Sequence, residues 1–335
     1  MPTDELISVE RQRLAITRSN PCSFSGRDEA NIQLAEVALA AMRAAGIPPD
    51  PPDFPDAYLS MRLDTDVRDL IVAACSRRGR PLATSIDHVE AAKSYIAGLF
   101  GVRVDRVAVN ISQGGEVNNV EGFFLPCCVD EGEVFVPAFF ETPVELITHE
   151  LGHAVHFMLQ RGGHRHDPAF WRSRQIEAEV GPYFAQMNYL LAHGSKDEFL
   201  QALGVVTNLI YKVTVLSAHF SGLTREEFET SDHLAQFSDA QERRLLVGLF
   251  DETKPNQPDM GPFKDLLVSV LNGFGLILAL KLVDERSSLV TFMSADSCSI
   301  PLMEKLAAAF PHRDDLGSLD DISEVVRRLL ARFKH

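Results

Sequence analysis

The sequence holds little that would mark a nucleic-acid binder, a disulfide scaffold or a membrane protein. Lys and Arg number 32 against 47 Asp and Glu, a formal net charge of −15 at pH 7 over 335 residues. No Lys/Arg-rich run or basic stripe interrupts that acidic balance, so the electrostatic footprint of nucleic-acid binding is missing. Cysteine is scarce and odd in number: Cys22, Cys75, Cys127, Cys128 and Cys298. None forms a C-x-x-C pair, and the adjacent Cys127 and Cys128 make a poor disulfide framework. The five read as reduced thiols of a cytoplasmic protein. The opening MPTDELISVERQRL has no basic stretch followed by an apolar one, so no secretion signal is expected. The longest apolar stretch, residues 266–283, contains Asn272 and Lys281; it reads as a buried helix, and no membrane partner is expected.

A hydrophobic content of 45% is enough to bury a large core, as one domain or two lobes. Residues 1–27 are weakly patterned. Residues 28–46 open with acidic side chains, are rich in Ala and Leu and close on Gly46, which predicts a helix. The proline-rich PPDPPDFPD, 48–56, reads as a linker. It separates an N-terminal helical segment (1–50) from a larger unit (57–335). Two helical stretches follow, near 64–78 and 85–100. Three β-rich runs, RVAVNIS, EGFFLPCC and EVFVPAFF, then predict a small sheet over about 104–140. From 142 onward the pattern is helical almost to the end. The expected class is mainly α with a small β-sheet (α+β).

The chemistry concentrates in TPVELITHELGHAVHF, 142–157. Thr142, Pro143 and Glu145 read as a helix start with a capping box. Within the helix over about 143–161, His149 and His153 are four apart and share a face one turn apart. Two imidazoles so placed can meet one zinc ion at about 2.0–2.1 Å. Glu150 is beside the first of them, too short to ligate with it but able to reach water at the metal. This is the HExxH pattern, in which the carboxylate is the general base. Gly152 permits close packing inside the motif. His156 falls where the HExxHxxGxxH continuation puts no ligand, and is expected to pack or hydrogen-bond along its own helix.

Three protein ligands are needed, and WRSRQIEAEVGPYFAQMNYLL, 171–191, offers Glu177 and Glu179. They lie about 200° apart on a helix of 3.6 residues per turn, so both cannot face one ion, and Pro182 disturbs the helix near them. Glu150 and His153 also form an E-x-x-H, half of a ferritin-like di-iron site, but no second E-x-x-H occurs in the chain. His164 and His166 read as a solvated loop.

With HELGHAVH at 149–156, the chain resembles the thimet oligopeptidase and oligoendopeptidase F family of zinc peptidases (gluzincins). The resemblance covers about residues 105–195. It implies one zinc per chain, held by His149, His153 and a glutamate some twenty-five residues on, within Ala178-Glu179-Val180. Aligned on Glu179, it also matches Phe184 and Gln186. It implies zinc-dependent hydrolysis of short or extended peptides in the cytoplasm, with the peptide laid along a sheet edge formed by EVFVPAFF. Two departures point to the alternative, a zinc-bearing relative without general peptidase activity that acts in a specialised pathway or as a binding module. Only about 100 residues precede the sheet, and the family's oxyanion-steadying tyrosine is replaced by Phe274 in Leu271–Leu276. Tyr183, Tyr211, His219 and His233 stand as substitute donors. Peptide substrate, pathway and oligomeric state are left open.

Overall fold

A computed structural model describes residues 2–19, 24–47, 53–77, 79–112, 122–235, 237, 239–255 and 260–333. Part of the proline-rich stretch, residues 48–52, and Cys22 lie outside them. Helices dominate, around one small sheet. The first half contains α1 (Pro2–Ser19), α2 (Phe24–Ala44), α3 (Thr65–Cys75) and α4 (Ile86–Phe100), with the two-residue strand β1 (Leu82–Ala83) before α4. Strands β2 (Val107–Ser112), β3 (Phe123–Cys127), β4 (Glu131–Pro137) and β5 (Phe139–Phe140) follow, and lead directly into α5 (Pro143–Gly162).

After α5 the chain is helical: α6 (Gln175–His193), α7 (Lys196–Ala202), α8 (Gly204–Phe220), α9 (Arg225–Thr230), α10 (Asp232–Ala235) and α11 (Ala240–Glu252). The last four are α12 (Gly261–Lys281), α13 (Arg286–Ser294), α14 (Leu302–Ala309) and α15 (Ile322–Leu330). Two segments, Lys196–Phe220 and Gly261–Lys281, are long and apolar enough to cross a membrane by length and composition. In each, 56% of the apolar window is buried inside the fold, so more than half of that surface serves the core.

Three local expectations are corrected. Residues 2–19, weakly patterned in sequence, form the regular helix α1. Its buried stripe is Thr3, Leu6, Val9, Glu10, Arg13, Leu14 and Thr17. The period is helical, but half the stripe is polar, so hydrophobicity alone misses it. Second, the sheet order is β2–β4–β3, with β4 parallel to β2 and antiparallel to β3. The EVFVP part of the EVFVPAFF run, within β4, is therefore central among the described strands, Phe139 and Phe140 belong to β5 and pair with β1, and β3 is an outer strand. Pro126 in β3 agrees with that place, because a proline nitrogen cannot join a central ladder. Third, Thr142 makes no cap hydrogen bond to the start of α5. Its side chain bonds the Glu145 carboxylate instead, which is turned into the fold.

Helix α6 runs unbroken through Pro182, sandwiched between α5 and α12. Two glycines allow that approach. A Cβ on Gly152 of α5 would lie 2.5 Å from Pro182 Cα, and one on Gly275 of α12 would lie 2.6 Å from Glu179 Cβ. Phe274 faces away from this junction. It is fully buried, with its ring 5.4 Å from Phe54 and 5.2 Å from Tyr58. Phe274, where the resemblance places the lost tyrosine, is thus a core residue.

Candidate active site

Because α6 crosses so close to α5, its buried face meets the His149–His153 face. The two imidazole centroids lie 5.1 Å apart. Nε2 of His149 is 3.7 Å from Glu179 Oε2, and Nε2 of His153 is 3.8 Å from the same oxygen. A donor atom from each of the three lies within 4.8 Å of the others. Two donors held at about 2.0–2.1 Å by a tetrahedral ion are about 3.4 Å apart, so shifts of a few tenths of an ångström would gather this set around zinc.

Glu177 goes elsewhere. Lys305 Nζ of α14 donates to Glu177 Oε1 at 2.7 Å and to Asp296 Oδ1 at 2.7 Å, all three side chains being buried. Burial pushes the Glu177 carboxyl up and Lys305 opposes it. His156 joins the same cluster, with Nε2 3.0 Å from Asp296 Oδ2. Its partner is thus the segment after α13 rather than its own helix. Gln160 closes the group by donating to the Asp296 carbonyl at 2.8 Å.

The protonation pattern suits a cation. Burial pushes the His149 imidazole down to about 4, with Gln186 acting against it. Burial, then the neighbouring His149 and His156, hold His153 well below its ordinary value. Both rings are neutral at neutral pH. His149 Nδ1 is 2.9 Å from Gln186 Oε1, while Gln186 Nε2 donates to Glu145 Oε1 at 2.6 Å. Since the amide oxygen can only accept, the proton of His149 sits on Nδ1 and the lone pair on Nε2, facing Glu179. For His153 the partner is the Ala178 backbone carbonyl. That carbonyl is four residues before Pro182, which has no N–H to offer it within the helix. The proline expected to disturb the metal-facing turn releases an acceptor for one of its histidines.

Sequence reasoning assigned no role to Gln186, and read Glu145 only as part of a cap. A signal existed. Glu179, Tyr183 and Gln186 are spaced by four and three, hence on one face of α6, and Glu145 is one turn before His149 on α5. Because outer partners of metal-binding histidines typically set affinity by about 10–100-fold, Gln186→Leu should weaken zinc binding by that factor. Competition against a chromophoric chelator measures it; unchanged affinity would show that Gln186 does not orient His149.

Glu150, buried beside His149, lines the same cleft. Gly122, just before β3, packs against it, its Cβ position 3.0 Å from Glu150 Cγ. The cleft measures about 1040 Å³ between the small sheet and the helices. Phe123 and Phe124 of β3, Phe140 of β5 and Asn208 of α8 contribute to its walls. Of the four substitute donors, Tyr183 alone lines it, with its ring 4.8 Å from that of His149. Tyr211 is bonded to Glu242 at 2.7 Å, and His219 lies 3.0 Å from Thr253 Oγ1. His233 is on the short helix α10 and is not among the lining residues. His164 stacks on Phe170 at 3.6 Å, and neither it nor His166 belongs to a potential metal cluster among the described residues.

No protein-family model matches the chain, and no curated protein matches it. Two solved structures are similar to it. One is a carboxypeptidase from Pyrococcus furiosus, 13% identical, covering 99% of this chain and 79% of its own, with a TM-score of 0.46. The other is a Bacillus anthracis str. Ames protein described as an oligoendopeptidase F, also 13% identical, with a TM-score of 0.49. It is matched by 95% of this chain, which spans only 63% of its length.

Proposed function

We propose that the chain is a zinc-dependent peptidase acting on short, extended peptides, with His149, His153 and Glu179 as the metal ligands and Glu150 as the general base. The observation that carries the reading is the position of Glu179. One α6 carboxylate faces both α5 imidazoles at 3.7 and 3.8 Å, in the cleft that also holds Glu150. Two neutral nitrogens and one carboxylate form a donor set suited to zinc. Bound there, zinc would polarise the scissile carbonyl and make the attacking water more acidic.

The chain supplies the remainder. Glu150 takes the proton of the attacking water and delivers it to the leaving amine. Gln186 and the Ala178 carbonyl hold the two rings with Nε2 presented to the metal. Tyr183 is the phenol placed to hydrogen-bond the oxygen that becomes negative as water adds. The outer edge of β3 seats the peptide backbone. Proline at 126 can have no ladder partner for its nitrogen, so by strand alternation the Phe124 N–H and C=O also point away from β4, and among the described residues no strand pairs with that edge.

A panel of internally quenched peptides tests the reading, with and without a zinc chelator. Expected is cleavage of short peptides that stops on chelation and returns with zinc, and little digestion of folded proteins. Failure to cleave any short peptide by the zinc-loaded chain would overturn it in favour of a zinc-bearing relative that only binds its ligand.

A further inference from the structure

We propose that the turn between β3 and β4 is a second metal site, for a thiophilic divalent cation held by Cys127, Cys128 and Glu131. It is independent of the His149–His153–Glu179 reading. Gly122 touches Glu150 at one end of β3, and Cys127 lies at the other end, about 16 Å along an extended strand. No ion can be shared between the two places.

The sulfurs are already spaced for one ion. Adjacent residues on a strand point to opposite faces, which would hold neighbouring cysteines apart. Here Cys128 adopts φ 61°, the only positive φ at a non-glycine among the described residues. The two Sγ atoms lie 3.7 Å apart. Two thiolates bound at about 2.3 Å to a tetrahedral ion are separated by about 3.8 Å, so the pair matches one edge of that tetrahedron. A Glu131 carboxylate oxygen completes a set of three donors within 4.8 Å of one another. Oε1 of Glu131 pairs with Arg106, as does Asp130.

The unusual backbone is held from outside the turn. The Cys128 N–H donates to Glu10 Oε2 at 3.1 Å, and the Cys128 carbonyl accepts from Arg161 Nη1 at 2.7 Å. Arg161 in turn binds both Glu10 oxygens, at 3.0 and 2.8 Å, and lies between the rings of Phe157 and Trp171. The conformation that gathers the sulfurs is therefore fixed by α1 and α5.

Two buried guanidiniums, Arg13 and Arg161, stand here against one buried carboxylate, Glu10, while the neighbouring Glu133 is matched by Arg18. Nε and Nη2 of Arg13 and Nε of Arg161 are buried with no hydrogen-bond partner. Binding forms two metal–sulfur bonds and one metal–oxygen bond, releases the two thiol protons to solvent, and needs no oxidant or reductant.

The test uses the full chain, reduced with a phosphine and stripped of metal, and cadmium chloride as the probe. Wild type should bind two cadmium ions, one of them with the ultraviolet sulfur-to-cadmium charge-transfer band. Cys127→Ser and Cys128→Ser should each lose the band and one equivalent, while His149→Ala/His153→Ala keeps the band and loses the other equivalent. Glu131→Gln should keep the band and weaken the cadmium affinity behind it about tenfold. X-ray absorption on doubly loaded wild type decides the matter even if a serine variant unfolds, by showing two sulfur scatterers on one ion. The site does not exist if wild type shows no band, or if the band survives both serine substitutions and so arises from Cys22, Cys75 or Cys298.

Discussion

Glu150→Gln should retain one zinc per chain and lose about 10²–10⁴-fold in peptide turnover, the range that removal of a general base commonly costs. The substitution keeps the length and shape of a side chain that is buried and faces Gly122. Packing of α5 and the orientation of His149 and His153 should therefore persist, and zinc affinity with them. What disappears is the ability to accept the proton of the attacking water. The loss should appear in kcat and in kcat/KM alike, because the interaction is made only as the transition state forms. Turnover measured on zinc-saturated protein, with metal content determined on the same sample, separates chemistry from loading. Full activity of the variant would remove Glu150 from the mechanism; parallel loss of zinc would make its part structural.

How much of this is legible in the sequence depends on how local each feature is. The α5 helix with its two histidines needs only a 3.6-residue period within one short stretch, and the structure forms it over Pro143–Gly162. The mainly helical class and the small sheet follow from similar local patterns. The order of strands does not. The resemblance makes EVFVPAFF an edge until β2 and β3 are seen on either side of β4; β3 joins through a short turn, but the pairing with β2 links residues about 25 apart, such as Val107 with Gly132. Helix α1 hides for another reason: Glu10 and Arg13 occupy its buried stripe, and their burial makes sense only once Arg161 and Cys127 are beside them. The role of Pro182 also reverses in context. In sequence a mid-helix proline signals disturbance; in the fold it frees a carbonyl that faces His153.

The choice between Glu177 and Glu179 shows the same limit, and it carries the other large expected effect. Either carboxylate fits the sequence spacing. In the fold Glu179 turns to both imidazoles, because Gly275 lets α12 press against its Cβ, while Glu177 is drawn to Lys305 on the opposite side of the helix. Glu179→Ala deletes one of three proposed ligands. Its zinc affinity should fall by more than about 100-fold, since loss of an outer partner alone reaches that size. Glu177→Gln should keep zinc affinity within a few-fold of wild type, because the amide oxygen can still accept from Lys305. Its effect belongs to stability instead. Removing the charge leaves Lys305 with Asp296 as its one remaining anionic partner, and disrupting a buried ion pair costs up to about 3–5 kcal/mol. Chelator competition reads the first quantity and denaturant unfolding of the zinc-loaded proteins the second. A Glu177→Gln protein that folds but releases its zinc, beside a Glu179→Ala protein that keeps it, would reverse the assignment and with it the face of α6 that looks into the cleft.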